Sequence, residues 1–245
     1  MLVHLAAAAT IALASGGVQS LTFGDADIQL GVFGYLLAIL GVTWVLNLYN
    51  FMDGIDGIAA VEAVSVSFGA AAILWLNGEI GFALLSTALG AASLGFLWWN
   101  WPPAKIFMGD VGSGFLGFVM ASLALFTNES GALSLWVWLV LLGVFIVDAT
   151  FTLLRRLIRR QRVYEAHRSH AYQRAAIAHN SHGKVTVGVL LINVLWLLPI
   201  AGLVAYGHLA GILGLIIAYV PLIFLVFFYQ AGADTAETGF RVGEM

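Results

Sequence analysis

Apolar runs of about 20 residues, the length that crosses a bilayer as a single helix, follow one another along almost the whole chain. Few structures are open to a polypeptide built this way. In hydrocarbon every backbone N–H and C=O must find its partner inside the protein, so such runs read as helices. Eight are expected, at 1–16, 31–49, 58–76, 80–99, 113–127, 133–153, 184–207 and 209–230, the first and fifth being short. Turn-forming residues separate them: Gly16-Gly17, Asn77-Gly78-Glu79, Pro102-Pro103 and Asn128-Glu129-Ser130-Gly131. Hydrophobic residues make up 61% of the 245 and charged ones 9%, against about a quarter charged in a soluble domain; mean hydropathy is +0.97. The expected fold class is therefore all-α, a polytopic integral membrane protein of about eight transmembrane helices. Residues 1–230 form one transmembrane domain and 231–245 a polar tail. The absence of cysteine excludes disulfides and thiolate chemistry. Ten basic residues give no basic face for nucleic acid.

The placement of the few charges sets an expected orientation. Lys105, Arg155, Arg156, Arg159, Arg160, Arg162, Arg168, Arg174, Lys184 and Arg241 all fall on one side if the loop near 50–57 is cytoplasmic. The opposite loops carry only acids: Asp25, Asp27, Glu79 and Glu129. The positive-inside rule makes the basic side cytoplasmic, with both termini of the chain there.

Polar residues cluster in three loops on that side. The first holds Asn47, Asn50, Asp53 and Asp56, spaced three apart and so expected near one face of a helix end, with Gly54 and Gly57 beside them. A calcium loop starting at Asp53 is excluded, because its twelfth position is Val64 where a bidentate Glu is needed. The second holds Asn100, Lys105, Phe107 and Asp110 among Gly109, Gly112 and Gly114. Glycines beside a carboxylate at a helix start suit a phosphate and its metal ion, and Phe107 offers a flat face to a base. The third holds His167, Arg168, His170, Gln173 and Arg174 within the basic stretch 155–184. Imidazoles and guanidiniums together suit a pyrophosphate. Carboxylates, phosphate-suited glycines and cations on one face suggest magnesium-dependent phosphoryl transfer to a lipid substrate. The rival reading is a transporter, in which intramembrane acids mark an ion path; on the sequence Asp148 is taken as the one acid within a span, with none mid-membrane.

The three motifs, Asn47–Gly57, Pro102–Gly114 and the His167–Arg174 loop, resemble those of the bacterial polyprenyl-phosphate N-acetylhexosamine-1-phosphate transferases. This is glycosyltransferase family 4, with its WecA-, TagO- and MraY-like enzymes, and the third motif is most similar to the WbpL-like O-antigen branch. The resemblance implies transfer of a sugar-1-phosphate from a UDP-N-acetylhexosamine to undecaprenyl phosphate, with release of UMP, at the cytoplasmic face of the bacterial inner membrane. Envelope glycans such as O-antigen start this way. It implies Mg2+, with Mn2+ as an alternative, on Asp110 and Asp53. It assigns catalytic positions to Asp53, Asp56 and His170, and substrate contacts to Asn47, Asn50, Asn100, Phe107, Arg168 and Arg174. Membrane lipid is an expected partner, nucleic acid is not, and a homodimer is admitted. The family also carries an adjacent Asp pair in an earlier loop, and no Asp-Asp occurs here. The expectation from this departure is that the chain lacks the amino-terminal part of the enzyme. On that expectation residues 1–245 bind UDP-sugar weakly and do not catalyse transfer, an inactive truncated homologue being the alternative.

Overall fold

A computed structural model describes residues 2–23, 26–161 and 167–233. Asp25, Arg162, Glu165, Arg241 and the expected tail beyond residue 233 lie outside the described residues.

All eight apolar runs form helix, in the expected order. They are α1 (Leu2–Ser15), α2 (Val32–Met52), α3 (Ile58–Leu76), α4 (Ile80–Asn100), α5 (Gly109–Glu129), the pair α6 (Leu135–Leu141) and α7 (Gly143–Ile158), the run from α9 (His182–Ile192) to α10 (Leu198–Ala205), and α11 (Gly211–Phe228). One further helix, α8 (Ala171–His179), lies between α7 and α9. Six of these runs are long and apolar enough to cross a membrane, or seven if the bent α6–α7 pair counts as one; α1, at 14 residues, falls short. The expected count of eight is thus reduced at α1 and qualified at the sixth run. There the axis turns by 77° at Leu142, a break that hydropathy cannot register because both halves stay apolar. A helix end leaves carbonyls without intrahelical partners, and the Tyr219 hydroxyl donates to one of them, Leu139 O, at 2.8 Å. A two-stranded antiparallel hairpin, β1 (Ser20–Phe23) and β2 (Ala26–Gln29), joins α1 to α2 and adds strand to a fold expected to be all helix. The short polar stretch between α1 and α2 pairs its own backbone there, on the side opposite the site described below.

The surface is greasy, and the largely apolar interior holds a few buried polar groups. Phe33, Leu36, Leu40, Trp98, Phe224 and Phe228 face outward, as residues touching lipid do. Close helix packing in lipid comes from small residues that let backbones approach. On α4 the buried residues Ala83, Ser86, Gly90, Ser93 and Leu97 recur at alternating spacings of three and four, and this stripe packs on α3. α2 packs on α5 in the same way: a Cβ on Gly117 would lie 2.7 Å from Val45 O and 2.8 Å from Leu46 Cα. The enclosed helix at the centre is α3. It carries Glu62, fully buried, whose Oε2 accepts from Asn193 Nδ2 at 2.6 Å. Glu62 corrects the expectation that Asp148 is the one acid within a span. Asn193 opens a π-helical turn, Asn193–Leu197, that leads into Pro199. A wider turn relieves the clash and missing hydrogen bond that proline brings to a helix.

Candidate active site

Two helix ends and two helix starts meet at one face of the bundle. α2 stops at Met52, because the Asn-Phe-Met-Asp-Gly-Ile-Asp-Gly run places residues with turn preference where the apolar period ends. Asp53 is its C-cap, so Asp53 and Asp56 sit in the loop rather than on the helix face with Asn47 and Asn50. Gly57 then adopts φ +80°, a left-handed conformation that glycine takes without a Cβ penalty, and α3 begins. Across from it, α4 ends at Asn100 and α5 starts at Gly109 with Asp110 in its first turn. Carboxylates are stabilised at that end of a helix by the aligned peptide dipoles.

The loops enclose a pocket of about 240 Å³ lined by Asn50, Asp53, Asp56, Asn100, Phe107 and Asp110 together with backbone near Gly54 and Gly109. Asn50 orients the Asp110 carboxylate: its Nδ2 donates to Asp110 Oδ1 at 3.0 Å and to the buried Ser113 Oγ at 3.2 Å. Burial, and then the charge of Asp110, push the Asp53 carboxyl up to about 7. A pocket in which burial and a neighbouring carboxylate disfavour the charge of Asp53 is a place where a cation is stabilising. Phe107 is 78% exposed, a ring held at the pocket edge with one open side.

Asn100 and Asp56 are tied into the frame as well as lining the pocket. Asn100 Oδ1 accepts from Gly57 N at 3.0 Å while its Nδ2 donates to Ile106 O at 2.9 Å, which joins the two loops. Asp56 Oδ2 accepts from Ala104 N at 3.0 Å and lies 3.5 Å from His182 Nδ1. Thr186 of α9 donates to the Asp56 carbonyl at 2.9 Å. His182 and Thr186 thus hold the first loop, a role that nothing in their spacing signalled. Asn47 is turned away: its amide donates to Thr43 O one helical turn back, and it does not line the pocket.

The third loop supports the first from behind. His170 and Arg174, expected to face the substrate, are each 2% exposed. The Arg174 guanidinium donates to Ala233 O. His170 is the N-cap of α8, with Nδ1 3.2 Å from Asp148 Oδ1. The same Asp148 carboxylate accepts from Ala171 N and Tyr172 N, both at 2.9 Å, and from Thr152 Oγ1 at 3.0 Å. An acid on one helix therefore caps the start of another. From α8 the Tyr172 hydroxyl donates to Phe51 O at 2.9 Å, and a Cβ on Gly54 would run into that hydroxyl. Burial pushes the Tyr172 phenol well above its ordinary range, so it remains a donor. His167 stacks on His170 with ring centres 5.0 Å apart; burial, then His170 and Arg156, push it down to about 4. It is neutral at pH 7 and supplies no charge for a pyrophosphate. Arg168 is exposed.

Donor chemistry allows a metal here. Among the described residues no group of three or more His, Cys, Asp or Glu side chains converges on one point. Asp53 and Asp110 together are a sparse set, of the kind that suits Mg2+, which keeps water and substrate phosphate oxygens among its ligands.

Comparison with known proteins bears on what the pocket does. A family described as "Glycosyl transferase family 4" matches residues 1–128, which include both pocket-forming motifs. A curated relative from Bacillus subtilis (strain 168), named "Probable undecaprenyl-phosphate N-acetylglucosaminyl 1-phosphate transferase", is 34% identical over 177 residues. That match covers 71% of this chain and 49% of the relative, so the chain spans about half the length of the curated protein it matches.

Proposed function

The chain belongs to glycosyl transferase family 4, and on that premise we propose that its pocket handles a UDP-N-acetylhexosamine whose sugar-1-phosphate passes to undecaprenyl phosphate, with UMP released. The observation that carries this reading is the pairing of Asp53 and Asp110 in one pocket with an exposed aromatic ring at its edge. A diphosphate bridging a cation and a base lying on Phe107 would use both features at once. Asp53 and Asp110 would hold Mg2+, or Mn2+ in its place, and the ion when bound would neutralise the diphosphate charge. Asn50 fixes the Asp110 carboxylate, which keeps the ligand oxygen in place before substrate arrives. Asp56 and Asn100 shape the pocket floor, and each spends polar groups on joining the loops. The exposed Arg168 is the member of the third loop suited to meet a phosphate. His170 and Arg174 act in this reading by holding α8 against the first loop.

Phosphoryl transfer depends on positioning and charge stabilisation more than on covalent work by the protein. The close approach of three loops fits that demand. All the described Lys and Arg residues stand on the side of the pocket if the spans alternate. This supports a cytoplasmic site face in a bacterial inner membrane, the side where nucleotide sugars occur. Residues 1–230 belong to the transferase domain. In this reading the product starts O-antigen or another envelope polymer.

The test is binding and transfer by the chain in detergent, with radiolabelled UDP-GlcNAc and undecaprenyl phosphate, over a magnesium titration. Cation-dependent retention of UDP-GlcNAc that Asp110→Asn abolishes is expected. Retention indifferent to magnesium and to Asp110→Asn would overturn the reading.

A further inference from the structure

A second cavity lies behind the site, under α8, where α7, α9 and α11 diverge. Its volume is about 360 Å³ and its walls are aliphatic, with Val147, Val189 and Val226 facing one another from the three helices. Leu225, 38% exposed, stands at its edge, so the cavity opens sideways through the lipid-facing surface. At the end nearest the site face the lining turns polar. Lys184 and His179 stand there with Tyr229, whose hydroxyl lies 3.0 Å from His179 Nε2. One carboxylate, Asp148, also lines the cavity. It is 4% exposed, and its oxygens are engaged inside the protein by Ala171 N, Tyr172 N and Thr152 Oγ1, with His170 Nδ1 at 3.2 Å.

An aliphatic slot that opens into the bilayer beneath an exposed lysine has the polarity of one kind of molecule. We infer that this cavity is a binding site for an anionic glycerophospholipid, with one acyl chain between α7, α9 and α11 and the phosphate at Lys184 and His179. Basic pockets between membrane helices recognise lipid headgroups in this way. The inference rests on the cavity and its rim and does not depend on the transfer reaction. Its consequence is mechanical: the lipid fills the space under α8, the helix that presents Tyr172 to Phe51 and so braces the loop carrying Asp53.

Gly188 supplies a clean test, because it lines the cavity and a Cβ there meets nothing within 4 Å. Gly188→Leu fills the slot and keeps every charge, whereas Lys184→Gln removes the charge and keeps the slot. The chain is purified in detergent and exposed to dioleoyl phosphatidylglycerol or dioleoyl phosphatidylcholine, and bound lipid is counted by native mass spectrometry. One phosphatidylglycerol per chain is expected to be retained in preference to phosphatidylcholine. Lys184→Gln should weaken that retention about fivefold, the effect of one lysine at an anionic surface, and Gly188→Leu should abolish it. Equal retention of the two lipids, or phosphatidylglycerol retention unchanged in Lys184→Gln, would overturn the proposal. So would displacement of the phosphatidylglycerol by equimolar undecaprenyl phosphate, which would make the slot an acceptor site. Lys184 is exposed on the first turn of α9, so its variant decides the question even where Gly188→Leu fails to fold.

Discussion

Asp53 is the residue on which site chemistry and stability meet. Its carboxyl ionises near 3.8 in an open chain and near 7 in the fold. A raised pKa means that the fold prefers the protonated form, so stability is full below about pH 4 and is lost as pH rises through about 7. Asp53→Asn should therefore match the parent in thermal stability at pH 4 and exceed it at pH 8, with the gap complete near pH 7. Magnesium should stabilise the parent at pH 8 and leave Asp53→Asn unmoved. An equal gap at both pH values would show that Asp53 is not strained by its surroundings. Phe107 makes a second, separable prediction. A base stacked on an aromatic face gains roughly 1–3 kcal/mol, so Phe107→Ala should cost about ten- to hundredfold in UMP affinity, read by calorimetry. Because the ring is 78% exposed, the fold should not notice its loss.

Helix contacts decide whether those residues face one another. α2 brings Asn50 and Asp53, α5 brings Asp110, and the two cross where Gly117 lies against the α2 backbone. A methyl at 2.7 Å from a backbone oxygen cannot be absorbed by a side-chain rotation, so Gly117→Ala should force the helices apart at a cost of about 1–3 kcal/mol. The Asn50–Asp110 bond should loosen with them, and magnesium-dependent stabilisation should fall. Gly41→Ala, where a Cβ meets nothing within 4 Å, is the control and should be neutral. The join between α8 and the first loop offers a rescue experiment. Gly54→Ala collides with the Tyr172 hydroxyl, and combining it with Tyr172→Phe should recover part of the lost thermal stability.

Across the whole molecule, Asp148 ties the basic third loop to the membrane bundle. Its four donors come from α7, from the N-cap of α8 and from the first turn of α8. Asp148→Ala would leave the buried N–H groups of Ala171 and Tyr172 without acceptors, at about 1–3 kcal/mol each. Residues 167–179 should lose hydrogen-exchange protection, while α3 and α4, packed on each other elsewhere, should keep theirs. Uniform loss throughout the bundle would show that the loop and the helices unfold as one unit.

The sequence by itself determined the class of fold, the position of each apolar helix and the residues of the first two motifs. Each of those depends on local quantities: hydropathy over about 20 residues, turn preferences, and the order of polar groups along the chain. It could not show that α6 and α7 turn by 77° at Leu142, since both arms are apolar and only packing with Tyr219 and its neighbours fixes the angle. Nor could it sort the polar residues of the motifs. Asn50, Asp53, Phe107 and Asp110 line a pocket, whereas His170 and Arg174 are spent inside the protein on Asp148 and Ala233. Glu62 stands inside the apolar run 58–76, where the sequence reading passed over it in favour of Asp148, and its partner Asn193 lies 131 residues away. A polar side chain serves a ligand or a neighbouring helix according to which of them reaches it. In a bundle held by close contacts between distant helices, tertiary structure alone decides that.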